Sequence, residues 1–231
     1  MLTMQKHSKL FAIGAIFAIT IARPAEARQD EQLWTGASAS VELGGKWRLL
    51  QDFVARFSDN RNGLYQIQTS TMLGYKLTKS VTLSGGYVHS PLYDSGDFQV
   101  VERRAREQIS IDNFAEVGPG KLSGRLRMEQ RWRDGQDGVG WRARPYVKYS
   151  MPLQNSGDTS LGLSHELYVN LNTTRFQRTE GTDRMRNMVA ITTKLNKTIG
   201  LEVGYLNQYF FVRDGDDNID HIATLALSAK F

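Results

Sequence analysis

Residues 125–134 read RLRMEQRWRD. Charges stand at Arg125, Arg127, Glu129, Arg131 and Arg133, with Leu126, Met128, Gln130 and Trp132 between them. Period two is the signature of a β-strand, because successive side chains point to opposite faces. A half-buried strand of a water-soluble sheet also alternates, but it rarely carries five ionised groups in one unbroken phase. One face of this strand needs water and the other an apolar neighbour. Whether these are a lumen and a lipid wall depends on the rest of the chain.

The rest alternates too. Eleven segments can be marked, at about 33–43, 46–57, 64–77, 80–90, 100–114, 121–133, 141–151, 159–172, 184–195, 198–212 and 219–231. Short connections (Gly44-Gly45, Thr78-Lys79, EVGPG, PLQNSGD and Asn196-Lys197) alternate with longer ones (SDNRNG, YDSGDFQ, DGQDGVG, NTTRFQRTEGTD and RDGDDN). This pattern predicts an all-β fold, an antiparallel up-and-down transmembrane β-barrel of 10–12 strands. Bacterial barrels of this kind have even strand numbers, so parity predicts ten or twelve.

The two phases separate by chemistry. The apolar phase includes Trp47, Leu49, Phe53 and Phe57, then Tyr65, Ile67, Leu73 and Tyr75, and later Trp141, Val147, Leu163, Val203 and Tyr205. The opposite phase is polar and predicts the lumen. It holds fifteen basic residues: Arg48, Arg56, Lys76, Arg104, Arg106, Arg125, Arg127, Arg131, Arg133, Arg142, Arg144, Lys148, Arg184, Arg186 and Lys194. Its six carboxylates are Asp52, Glu102, Asp112, Glu129, Glu166 and Glu202. An Arg facing lipid at mid-depth costs about 2–4 kcal/mol, which fixes the charged phase inside.

The chain ends agree with export. Lys6 and Lys9 precede an apolar run from Leu10 to Ala22, and Ala25-Glu26-Ala27 is an A-x-A exit. Residues 1–27 are therefore predicted to be a cleaved signal peptide, leaving 28–231 as one barrel domain. The C-terminal HIATLALSAKF alternates and stops on Phe231, as terminal strands read by the outer-membrane assembly machinery do. The expected location is the bacterial outer membrane, with lipid and lipopolysaccharide as surroundings and the longer loops outside. Without cysteine there is no lipoprotein anchor, disulfide or thiolate metal site. A net charge of +5 falls to +3 without the leader. The basic residues are spread over alternating strands rather than gathered in a patch, so no nucleic-acid partner is expected.

RLRMEQRWRD, followed by WRARPYVKYSMPL (141–153), SHELYVNLN (164–172) and RMRNMVAITTKLNKTIGLEVGYLNQY (184–209), resembles an outer-membrane barrel family catalogued as domain of unknown function 2490. The resemblance covers nearly the whole chain after the leader. It implies an outer-membrane barrel and brings no activity or catalytic residues.

The candidate site is the lumen. Arg104, Arg106, Arg125, Arg127, Arg131, Arg133, Arg142, Arg144, Lys148, Arg184 and Arg186 are candidate anion-binding groups, because guanidinium forks suit carboxylate and phosphate. Glu102, Asp112, Glu129, Glu166 and Glu202 are the lumen carboxylates set against them. Two readings follow. One is a narrow pore favouring small anionic solutes, and six carboxylates are too few to pair every cation. The other is a structural barrel braced shut by ion pairs.

A third reading, a lipid-modifying enzyme, needs a hydroxyl beside His89, His165 or His221 on the outer wall. No same-strand Ser lies two residues from any of them, so no catalytic residue is assigned. DGDDN at 214–218 reads better as a solvated loop than as a calcium site, since its spacing departs from the twelve-residue calcium loop. No metal or cofactor is expected.

Overall fold

Period-two alternation with polar residues in one phase produces strands whose two faces prefer different media. Such strands bury their edges only by closing on themselves. The computed structural model describes residues 28–231 except 155 and 214, so the expected leader lies outside the described residues. Eleven strands form one closed barrel. They are β1 (Gln29–Gly44), β2 (Trp47–Ser58), β3 (Gly63–Lys76), β4 (Val81–Asp94), β5 (Asp97–Val117) and β6 (Gly120–Arg133), followed by β7 (Gln136–Pro152), β8 (Thr159–Asn170), β9 (Gly181–Lys194), β10 (Ile199–Phe210) and β11 (Asn218–Lys230). A 3-10 turn, Asp59–Arg61, sits between β2 and β3.

The parity expectation is overturned. All eleven alternating segments are wall strands, and neighbours pair antiparallel except at the seam, where β1 and β11 pair in parallel. Gln29 stands beside Ile219 and Ser40 beside Lys230. An odd number closes because the parallel ladder satisfies both edges as completely as an antiparallel one. The chain therefore enters at one mouth, here the amino mouth, and the last strand ends at the other, the carboxyl mouth.

The loop asymmetry is weaker than the sequence suggested. At the amino mouth, β4 and β5 are joined by Ser95-Gly96 alone, both at positive φ, and β6 and β7 by Asp134-Gly135. Ser-Gly and Asp-Gly fit two-residue hairpin turns, so the flanking residues of YDSGDFQ and DGQDGVG continue the strands. Long connections remain at 171–180 and 211–217.

The burial pattern is that of an inside-out protein. Among the described residues, nineteen polar or charged side chains are buried against seven apolar ones. Leu33, Trp47, Phe53, Leu73, Leu126, Trp141, Ile191, Val203 and Leu227 each leave more than two-fifths of their surface exposed on the outer wall. Tyr65 departs from its expected outward place. A bulge at Arg56/Phe57 pairs Leu64 with Phe57 and Gln66 with Arg56, which turns the intervening Tyr65 inward. Its hydroxyl donates to Gln32 at 2.8 Å. On the inner side, Trp34, Leu206 and Ile222, with Met188, form a small apolar cluster next to the seam.

Candidate functional site

The strand register builds the site. Glu129 on β6 lies directly between Arg106 on β5 and Arg142 on β7. Directly opposed inward side chains on neighbouring strands are about 5 Å apart at Cβ, so both guanidinium groups reach the carboxylate. Arg106 donates to Glu129 Oε1 from Nε (3.2 Å) and Nη2 (2.9 Å). Arg142 donates to Oε2 from Nε (3.1 Å) and Nη2 (2.6 Å). Arg144 adds a bond to Oε1 at 3.0 Å, and Arg104 approaches to 3.8 Å. Glu129 is fully buried.

Two further carboxylates repeat the arrangement. Glu102 takes Arg104 Nε at 2.7 Å, the fork of Arg131 at 3.1 and 2.9 Å, and Arg133 Nη2 at 2.9 Å. Glu166 takes Arg125 at 2.6 Å, Arg144 at 2.9 Å and the Tyr168 hydroxyl at 3.1 Å. Six carboxylates looked too few to brace the lumen on a one-to-one count. Three of them hold seven arginines, because each carboxylate has about four lone-pair sites to share.

Between this lattice and the amino mouth lies a chamber of about 390 Å³, with the exposed Arg28, Asn60 and Arg61 at its rim. Its cationic wall outruns its carboxylates. Arg56, Arg127, Arg184 and Arg186 face it, and none has a carboxylate oxygen closer than 4.0 Å among the described residues. Aromatic faces seat three of them. Arg56 and Arg186 lie over the Trp34 ring, with centroid distances of 4.1 and 4.6 Å. Arg184 lies over Phe210 at 4.3 Å, and Arg142, Arg144, Arg184 and Arg186 all lie within 5.1 Å of the Tyr168 ring. The ring quadrupole holds each cation while leaving its N–H edge free.

The predicted lumen residues thus divide into groups. Arg104, Arg106, Arg131, Arg142, Arg144 and Arg186 are buried with Glu102, Glu129 and Glu166. Arg125, Arg127, Arg133 and Arg184 are half-buried. Lys148 lies apart, in the carboxyl half, 3.4 Å from Glu202, which also accepts from Thr192. Asp112 is exposed rather than enclosed, because pairing between β5 and β6 breaks between Ile111 and Ala115. Phe231 lies at the carboxyl mouth, its side chain exposed and its main chain bonded to β1 at Ser40 and Glu42.

Some of the site was not read from the sequence. Asp30 and Asp220 line the chamber side by side across the parallel seam. Both lie in the inward phase, and that signal could have found them. Gln177 gives no such signal. It reaches in from the connection 171–180, accepts from Arg131 Nη1 at 2.8 Å and donates to the main chain of Trp141 and Asn172. On the outer wall, His165 pairs with Asn187 at 2.7 Å and His221 with the Tyr205 hydroxyl at 2.6 Å, while His89 stands opposite Thr69 and Arg103. Of the acidic loop, Asp217 accepts from the Val212 amide at 2.8 Å and from the Tyr209 hydroxyl.

The chain is 29% identical to an uncharacterized protein of Methylorubrum extorquens over 233 residues, which covers 99% of this chain and all of that protein. A family model described as "Protein of unknown function (DUF2490)" matches residues 31–219, nearly the whole barrel from β1 to the start of β11. With that span, the chain belongs to the DUF2490 family.

Proposed function

We propose that this protein is an outer-membrane barrel that admits small anionic solutes through its amino mouth into the arginine-lined chamber. The location is supported by the apolar outer wall, which water would not tolerate at this extent. One observation carries the anion reading: Arg56, Arg127, Arg184 and Arg186 face an accessible chamber, and none has a carboxylate oxygen closer than 4.0 Å among the described residues. Fixed guanidinium groups that outnumber the carboxylates around them raise the local concentration of anions and repel cations.

A specific observation favours the braced barrel as a second reading. Ser70, Val88, Glu129 and Ile222, inward residues from four strands around the wall, are at most 0% exposed. On this reading side chains fill the lumen between them, and passage needs side-chain rearrangement.

The test is the purified protein in a planar bilayer under a salt gradient, together with calorimetric titration of phosphate and small carboxylates. The proposal expects salt-sensitive binding and, where current flows, an anion-selective reversal potential. A cation-selective potential overturns it. Absence of both binding and current leaves a sealed structural barrel.

A further inference from the structure

The chamber has two chemically different sides, joined by one side chain. Gln208 Oε1 accepts from Arg186 Nε at 2.8 Å and from Arg184 Nη1 at 3.5 Å. The same amide donates through Nε2 to Asp220 Oδ2 at 2.5 Å. A cationic side thus meets a carboxylate side across one amide. Asp30 continues the acceptor side. It stands next to Asp220 across the seam and is fixed by Gln32 and Ser58, each at 2.7 Å.

The open valences differ on the two sides. The Nη2 atoms of Arg56, Arg184 and Arg186 make no hydrogen bond among the described residues and are not sealed from the chamber. Three guanidinium groups so placed call for an anionic ligand, since an unpaired buried cation is costly. Asp220 Oδ1 accepts nothing among the described residues and is not sealed from the chamber. Beside a second anionic group a carboxylate repels, whereas a hydroxyl can donate to it. The volume lies near the small end of ligand pockets and suits one monosaccharide-sized solute.

We infer that the chamber binds a polyhydroxylated anion, a sugar bearing a phosphate or carboxylate, with its charged group on Arg56, Arg184 and Arg186 and its hydroxyls on Asp30 and Asp220. This rests on the anion reading above and makes it specific. A simple inorganic anion would fill the cationic side and leave Asp220 Oδ1 without a donor.

The experiment is calorimetric titration of the refolded, full-length barrel in detergent with four probes: glucose 6-phosphate, glucuronate, inorganic phosphate and glucose. Glucose 6-phosphate or glucuronate is expected to bind about tenfold more tightly than phosphate, with no heat from glucose. The two sugar anions distinguish phosphate from carboxylate as the charged group. Asp220→Asn, which keeps the shape, is expected to remove most of that advantage and leave phosphate binding unchanged or tighter. Arg184→Gln with Arg186→Gln is expected to weaken every anion. Circular dichroism and heat-modifiable gel mobility establish that each variant is folded. Equal affinity for phosphate and glucose 6-phosphate overturns the sugar inference and leaves the anion chamber standing. Failure of all three anions to bind the folded wild type overturns both.

Discussion

Arg106 and Glu129 face each other across the β5–β6 pair, with Arg106 Nη2 2.9 Å from Glu129 Oε1 and neither residue more than 2% exposed. A charge pair sealed this completely is stable only while both partners stay. Removing the carboxylate leaves the guanidinium groups of Arg104, Arg106, Arg142 and Arg144 to repel one another at close range. Glu129→Gln is therefore expected to destabilise the barrel by about 3–5 kcal/mol. Urea unfolding in detergent reads this as a lower midpoint. Glu202→Gln is the comparison: its partner Lys148 is 3.4 Å away and both are part-exposed, so a much smaller shift is expected.

Arg127 and Arg144 are paired in register, yet their replacement should differ. Arg144 is shared by Glu129 and Glu166, whereas the polar partner of Arg127 is the amide of Gln108 at 2.9 Å. Arg127→Gln is expected to change stability by under about 1 kcal/mol, because it relieves an opposed like-charge pair while losing a neutral partner. Arg144→Gln should lower the unfolding midpoint clearly. Equal shifts in the two variants would contradict the bracing scheme.

Gly86 and Gly85 are neighbours on β4 with opposite requirements. A methyl group on Gly86 would overlap the Thr71 carbonyl and stand 2.6 Å from Met72 Cα, backbone that cannot move without parting β3 from β4. On Gly85 the nearest atom would be 3.8 Å away. Gly86→Ala is expected to cut the yield of folded barrel sharply and Gly85→Ala to leave it near wild type, as read from the fraction of heat-modifiable band after refolding.

Phe231 offers a separation of assembly from stability. Its amide donates to Ser40 and its carbonyl accepts from Glu42, both at 2.9 Å, while its ring is largely exposed. Phe231→Ala keeps both main-chain bonds. It is expected to lower the amount inserted in cells and to leave the unfolding midpoint of purified protein unchanged. Normal insertion of the variant would remove the assembly-signal reading.

What the sequence made legible was the phase of each strand. Charges at Arg125 through Arg133 could face only one way, and the burial of Glu129 and Arg131 follows from that choice. Tyr65 was misplaced because a bulge adds a residue without leaving a mark in composition. Strand number is a different case: the eleven alternating segments match the eleven wall strands, and only the parity expectation fails, because a parallel seam leaves no mark in composition. The sharing of Glu129 among several arginines was not legible at all. Charge counts treat ions as pairs, whereas a closed wall brings three strands' side chains to one point. Gln177 reaches that point from a connection, where no periodicity constrains direction.

The parallel seam has a consequence for how such a chain can be cut and rejoined. In an even barrel, first and last strands meet as a hairpin lacking its turn, and a few residues can connect them. Here Gln29 and Lys230 lie at opposite mouths. A new covalent connection would have to run the height of a twelve-residue strand such as β10, roughly 30–40 Å, through the arginine lattice or along the apolar wall. Circular permutation, generally tolerated where chain ends adjoin, is thus closed to this barrel. Duplication or loss of a whole hairpin keeps the odd count. An even relative can therefore be reached only by gaining or losing an odd number of strands, and that event exchanges a parallel seam for an antiparallel one.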